Sequence, residues 1–283
     1  MPELAEQIEC YSVVIAIGGI PVRVNTSDAK FRGLLEKRYA GFVAAGDRAE
    51  DRAEFEFDVE LDPPALIDPD IDVSVTCHAG RWFLSRGDFR AEWDPAARRG
   101  SIRQSANPYS IDAVLRIVHT LLLAKQGGFL LHSASAVRNG KAFLFAGVSG
   151  AGKTTISRLA PPDATLLTDE ISYVRKLDGS ADASGKAGYA AYGTPFTREW
   201  AERGENISAP VAALYLLAQG PENRIDPVTV AGAGRGLLSN MLFFAEDQDM
   251  VQRAFQAACD FVQNVPVFRL TFVPDARVWE LIG

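Results

Sequence analysis

Hydrophobic and polar positions alternate most cleanly at Ala53–Leu61. Phe55, Phe57, Val59 and Leu61 fall on one side, and Glu54, Glu56, Asp58 and Glu60 on the other. A period of two predicts a half-exposed strand. Helical spacing is clearest in Tyr109–Gln126, where Ile111, Val114, Leu115, Val118, Leu121 and Leu122 recur, and Gly127-Gly128 marks its end. The Val/Ile-rich stretch Tyr11–Val24, broken by Gly18-Gly19, predicts a strand or hairpin. Thr26-Ser27-Asp28 then predicts a helix cap, with a helix over Ala29–Ala45.

Leu61–Asp72, rich in proline and acids, is expected to be a loop. Val73–Trp93 is expected to hold two or three short strands, turning at His78-Ala79-Gly80 and Ser85-Arg86-Gly87. Residues 1–104 thus read as a small α/β unit dominated by antiparallel strands, and 105–283 as a second unit with its boundary near Ser105. Asp178–Gly188, rich in Gly, Ala, Ser and Asp, predicts a surface loop. Towards the end the pattern predicts a strand at Val211–Leu217 and a helix near Leu237–Phe244. A long helix near Asp247–Gln263, a strand at Pro266–Phe272 and a last helix after Pro274 follow. No internal repeat is evident.

Composition narrows the class. The 283 residues are 47% hydrophobic and 23% charged, ordinary for a chain that buries a core. The net charge of −7 argues against general nucleic-acid binding, which needs a surplus of Lys and Arg. Cys10, Cys77 and Cys259 are odd in number and far apart, suggesting reduced thiols and no metal-binding pair. The acidic start predicts no secretory leader, and the apolar Ser12–Val22 stretch is too short to span a bilayer. A cytoplasmic protein without membrane attachment is the expectation, with homo-oligomerisation left open.

The chemistry concentrates between Gly128 and Val174. Gly147-Val-Ser149-Gly150-Ala151-Gly152-Lys153-Thr154 fits GxxxxGK[ST] in full, and Thr155 follows it. An apolar strand, Ala142–Ala146, runs into it and a helix over Thr154–Ala160 can run out. In such a loop, backbone N–H groups and a helix N-terminus curl around phosphates. Lys153 would neutralise β/γ-oxygens and the Thr154 hydroxyl would serve Mg²⁺. ATP or GTP is the expected ligand.

Asn139-Gly140 between two apolar runs predicts a hairpin. Counting back from that turn, Val137 faces Ala142, Ser135 faces Leu144 and His132 faces Gly147. His132 is thereby expected beside the loop, able to bind metal, orient phosphate or move a proton, although a strand-end histidine can also be purely structural. Asp169 and Glu170 interrupt the apolar run Thr165–Val174 soon after the loop. Carboxylates there can bind Mg²⁺ or take a proton from an attacking hydroxyl.

LHSASAV, a hairpin, AGVSGAGKTTIS and LLTDE together resemble the core of HPr serine kinase/phosphorylase and of ATP-dependent phosphoenolpyruvate carboxykinase. The resemblance covers Gly128–Val174. It is closest to the smaller HPr kinase-related proteins, some of which are encoded beside peptide-modifying enzymes. It implies an α/β fold with a P-loop core on a mixed, largely antiparallel sheet, and the small N-terminal α/β unit that precedes that core here is not obviously the one found in HPr kinases. It also implies ATP with Mg²⁺ or Mn²⁺, and transfer to a hydroxyl. His132 matches the family histidine ahead of the loop, a metal ligand in the carboxykinases. Asp169 and Glu170 match a pair that is usually Asp-Asp, so which acid is base and which serves metal stays open.

Tyr192–Phe196 is similar to a motif after the acidic strand in the related proteins; it is expected either to line the acceptor, with Arg198 in contact, or to be a plain turn. The Gly-rich signature used for HPr and phosphorolysis is missing, so HPr is not the expected substrate. No clear oxaloacetate-binding Arg cluster is present. The expected activity is an ATP-dependent kinase acting on a hydroxyl, foremost a serine of a peptide or protein. A small alcohol as acceptor, or a nucleotide-binding regulatory module, are the alternatives. Gly232–Gly236 is read as a helix-entry turn, with Arg235 a weaker candidate arginine finger. His78 and His119 are read as structural or exposed, and the Glu54–Glu60 ladder as solvated or facing a basic partner.

Overall fold

A computed structural model describes residues 9–44, 53–63, 71–181, 187–197 and 204–283. The chain divides into two compact units, Met1–Leu115 and Arg116–Gly283.

The first unit is built on a seven-stranded sheet of order β1-β2-β3-β7-β6-β5-β4. β1 (Tyr11–Ile17) and β2 (Ile20–Thr26) form the expected hairpin around Gly18-Gly19. Asp28 caps α1 (Ala29–Arg38), accepting from the Phe31 amide at 2.8 Å. The helix is shorter than the sequence suggested. Gly41 takes φ +87°, and Phe42, 1% exposed, turns into the core, its carbonyl accepting from Ala16 N at 2.8 Å. Burying that ring and pairing with β1 wins over helix continuation.

β3 (Phe55–Leu61), β4 (Ser74–His78), β5 (Arg81–Arg86), β6 (Phe89–Asp94) and β7 (Arg99–Gln104) complete the sheet. β3 lies parallel to both β2 and β7, and the other neighbours are antiparallel. β7 has no counterpart in the sequence reading, because Ile102 is its only large apolar side chain. Its arginines explain its place. Arg99 pairs with Glu56 at 2.8 Å and Asp58 at 3.3 Å, and Arg103 with Glu60 at 3.2 Å. Arg23 of β2 reaches Glu56 from the other side at 3.6 Å. The acidic ladder is thus matched by cations of its own sheet. Each exposed pair contributes only about 0.2–1 kcal/mol, but together they favour this strand order.

α2 (Pro108–Lys125) is the long apolar helix expected, and the division between the two compact units falls inside it. Gly127 at φ +70° ends it, with Gly128 N donating to Leu123 O at 2.9 Å.

The second unit holds a nine-stranded mixed sheet centred on β8 (Phe129–Arg138). Its far half pairs antiparallel with β9 (Lys141–Ala146) on one side and β10 (Ala164–Thr168) on the other. Its near half pairs with β11 (Ile171–Ala181) and with β15 (Met241–Leu242). β9 is parallel to β13 (Ser208–Gln219), which is parallel to β16 (Val267–Phe272). β12 (Ala187–Tyr192) joins β11 to β13, and β14 (Arg224–Pro227) closes the edge on β16. β11 runs through residue 181 and β12 starts at 187, so those parts of the surface loop expected over Asp178–Gly188 are strand, and residues 182–186 lie outside the described residues.

Two apolar layers sandwich the sheet. Phe143, Phe145, Tyr215, Leu217, Leu270 and Phe272 pack with Ile156 of α3 (Lys153–Arg158) and with Trp279 of a 3-10 turn, Ala276–Glu280. Leu131, Leu144, Leu214 and Val265 pack with Leu237 of α4 (Val230–Leu238) and with Ala257, Ala258 and Phe261 of α5 (Gln248–Asn264). α4 lies earlier than the helix expected at Leu237–Phe244. Thr229 caps it at Gly232 N, so the Gly-rich run is helix and not a turn. A Cβ on Gly236 would lie 2.4 Å from Leu216, which explains a glycine inside that helix. Phe243 and Phe244 follow strand β15 and not a helix. Among the described residues no helix is long and apolar enough to cross a membrane.

Candidate functional site

The hairpin count holds through Ser133, and His132, expected opposite Gly147, pairs instead with Ile171 of β11. Val137 pairs with Ala142, Ser135 with Leu144 and Ser133 with Ala146, around a turn with positive φ at Asn139 and Gly140. His132 is the next residue beyond that ladder. Its amide donates to Asn240 O at 2.7 Å, placing it where β8 changes neighbours from β9 to β15.

The loop Gly147–Gly152 leaves β9 and enters α3 at Lys153. Gly152 sits at φ +109°, and a Cβ there would meet the Phe272 ring at 2.6 Å. Both facts require glycine. Lys153 Nζ folds back onto the loop, donating to Gly147 O at 2.6 Å and Val148 O at 3.3 Å. Gln219, at the end of β13, donates to Gly150 O at 2.7 Å. Trp279 Nε1 donates to Ile156 O at 3.0 Å and fastens α3 from behind.

Asp169 and Glu170 lie between β10 and β11, two strands that run end to end along one side of β8. The register slips between Leu166 and Thr168, so the acids follow directly on a bulge, a device that re-aims side chains. Thr168, fully buried, accepts through its hydroxyl from the amides of Glu170 and Ile171, both at 3.2 Å. Behind the pair, the buried hydroxyls of Ser133, Ser172 and Ser135 form a chain with spacings of 2.7 and 2.9 Å.

These parts meet in one cleft of about 220 Å³, lined by His132, Ser149, Gly150, Gly152, Lys153, Thr154, Thr155, Asp169 and Glu170. Pockets that enclose a whole small ligand span roughly 300–1,000 Å³. This one lies below that range. Gly147 and Ala151 shape the loop without lining the cleft; Ala151 is 8% exposed and packs under it. Among the described residues no group of three or more His, Cys, Asp or Glu side chains could hold a metal by itself. His132, Asp169 and Glu170 therefore do not make a protein-only metal cage.

The remaining candidates fall elsewhere. Tyr192–Phe196 ends in buried side chains, with Thr194 and Phe196 fully enclosed, so it supports the site rather than lining the cleft. Arg198 lies outside the described residues. Arg235 is exposed on α4 and is not part of the cleft wall. His119 is fully buried on α2 beside Tyr173, 3.3 Å from its hydroxyl, and burial pushes its pKa down to about 3. Gln219 escaped the sequence reading, and so did the individual roles of Thr168 and Thr194, although both lie in segments it singled out. Each acts through a bond to a residue distant in sequence or to a backbone group, and neither leaves a motif.

Compared with curated proteins, the chain has no significant match. Residues 103–283, more than half of it, match the family model described as SynChlorMet cassette protein ScmC. The matched span contains the whole loop, the histidine and both acids, and on this match the chain belongs to the ScmC family of SynChlorMet cassette proteins.

Proposed function

We propose that this chain is an ATP-dependent kinase with an HPr kinase/carboxykinase-like P-loop core, transferring the γ-phosphoryl group to a hydroxyl, foremost a serine of a peptide or protein. The observation that carries the reading is the single cleft in which a complete GxxxxGKT loop meets His132, Asp169 and Glu170. A loop that only packed would have no need of a histidine and two carboxylates at its mouth.

In this reading the loop amides and Lys153 take the phosphate tail. Lys153 Nζ exchanges its bonds to Gly147 O and Val148 O for phosphate oxygens. Thr154 and the acid pair line the same cleft, a donor set that fits Mg²⁺, which keeps several waters and takes phosphate oxygens instead of an all-protein cage. When bound it supplies charge neutralisation on the phosphates. Asp169 receives the proton of the acceptor hydroxyl as its oxygen bonds to the γ-phosphorus and the bond to the β-phosphate oxygen breaks, releasing ADP. Glu170 serves the metal side, and His132 orients the transferring group.

The test is formation of ADP together with a phosphorylated product, scanned over serine peptides and small alcohols, with Lys153→Ala as control. ADP and phospho-product in equal amounts, lost in the variant, support the kinase. Tight nucleotide binding with no phosphorylated acceptor would instead favour a regulatory nucleotide-binding module.

A further inference from the structure

The Tyr192–Phe196 segment has a role that its position behind the cleft discloses. Thr194 is fully buried and bonds to the acidic strand on both sides of the acid pair. Its amide donates to Leu167 O at 3.2 Å and its hydroxyl to Ile171 O at 2.7 Å. Asp169 and Glu170 lie between those two carbonyls. Thr168 closes the same turn from inside through the amides of Glu170 and Ile171.

The segment is itself fixed. Gly193 N donates to Ile207 O at 2.9 Å, and Glu205 N donates to Leu166 O at 3.0 Å. The backbones approach so closely that a Cβ on Gly193 would lie 1.8 Å from Glu205 O, and one on Gly204 1.6 Å from Leu167 O. Phe196, fully buried, lies under the Arg116 guanidinium at 5.2 Å. A turn between two strands that lacks ladder bonds is ordinarily free to rearrange. Here two threonine hydroxyls and one amide hold its backbone from both faces.

We propose that Thr194 is a positioning residue: through Leu167 and Ile171 it braces the Asp169–Glu170 turn and fixes the direction in which the two carboxylates enter the cleft. The brace is a property of the fold. Its consequence for phosphoryl transfer rests on the kinase reading above.

The test measures amide hydrogen exchange together with turnover. In the unmodified protein the Glu170 and Ile171 amides should exchange as slowly as those of β9, although they lie in a turn. Thr194→Val keeps the shape and removes the hydroxyl. It should speed exchange at Glu170 and Ile171 about tenfold while β9 and α3 are unchanged, the effect of one lost buried hydrogen bond. Thr194→Ser should restore wild-type protection. In the kinase assay Thr194→Val should lower kcat about tenfold or more, with the affinity for ATP in the absence of Mg²⁺ unchanged.

Fast exchange at Glu170 in the unmodified protein would overturn the brace. So would unaltered exchange in a folded Thr194→Val, loosening spread evenly over the unit, or a folded Thr194→Ser that behaves like the valine variant. If the exchange pattern holds but the wild type phosphorylates nothing, the brace stands and the kinase reading fails.

Discussion

The Gln219 side-chain amide donates to the carbonyl of Gly150 at 2.7 Å, tying the end of β13 to the crest of the Gly147–Gly152 loop. Gly150 stands at φ +80°, where a Cβ would meet nothing within 4 Å, so no packed side chain holds it in place. The Gly150–Ala151 peptide is thus held at both ends, its carbonyl by Gln219 and its N–H by Val148 O at 3.0 Å, which fixes the curl of the loop. Gln219→Leu should therefore weaken nucleotide binding by about three- to tenfold, one net hydrogen bond, while leaving the melting temperature nearly unchanged. Calorimetric titration with Mg²⁺-ATP checks it, and an unaltered affinity would remove Gln219 from the account.

Gly152→Ala should be far more damaging. The substitution meets a disfavoured φ of +109° and the Phe272 ring at 2.6 Å. Strain of this kind costs on the order of 1–3 kcal/mol. Loss of nucleotide binding should accompany a lower melting temperature. Phe272→Ala in the same chain should recover the steric part and not the backbone part, so rescue should be incomplete.

His119 predicts an acid-sensitive fold. Its folded pKa of about 3 lies below the ordinary 6.5, because burial disfavours the charged ring. The unfolded chain binds the proton first as pH falls through 6.5, so this contribution to stability is complete above that pH. It is lost progressively down to about pH 3, at up to about 1.4 kcal/mol per pH unit. His119→Leu should flatten the stability profile between pH 4 and 6. Denaturant titrations at several pH values measure it, and an unchanged slope would show that the ring does not control it.

In the first unit, Asp112 of α2 accepts from Arg38 Nε at 3.0 Å and from the Tyr39 hydroxyl at 2.5 Å, with its side chain only 4% exposed. Removing one partner strands a buried charge, typically at a cost of about 3–5 kcal/mol. Asp112→Ala should unfold this unit at markedly lower denaturant, and Arg38→Met together with Asp112→Leu should restore part of the loss. Chemical denaturation of the full chain, followed at both units, is the measurement.

Much of the site was legible because it is encoded locally. The GxxxxGKT loop carries its own chemistry, and the Asn139-Gly140 turn fixes the β8–β9 register, so counting placed His132 at the loop. Asp169 and Glu170 stood out as acids in an apolar run. Long-range bonds were not legible. Arg99 and Arg103 gave no apolar alternation, so β7 emerged only through its pairing with the acidic face of β3. Phe42 ended α1 early by packing against β1, and the glycines of α4 concealed a helix whose close approach to Leu216 demands them. Thr194 and Gln219 bond to backbone groups distant in sequence, which any chain possesses, and no spacing announces them.

The central claim is that Gly147–Thr154 holds the phosphates of a nucleotide with the acid pair at its reacting end. Equilibrium titration of the wild type, Lys153→Ala and Asp169→Asn with Mg²⁺-ATP, alongside single-turnover transfer, tests it most directly. Loss of the Lys153 cation should raise Kd by about 10- to 100-fold, the range of a charge-assisted bond. Asp169→Asn should keep Kd within about threefold and slow transfer by about 10²- to 10⁴-fold. Equal affinity in wild type and Lys153→Ala, or full transfer by Asp169→Asn, would contradict the account.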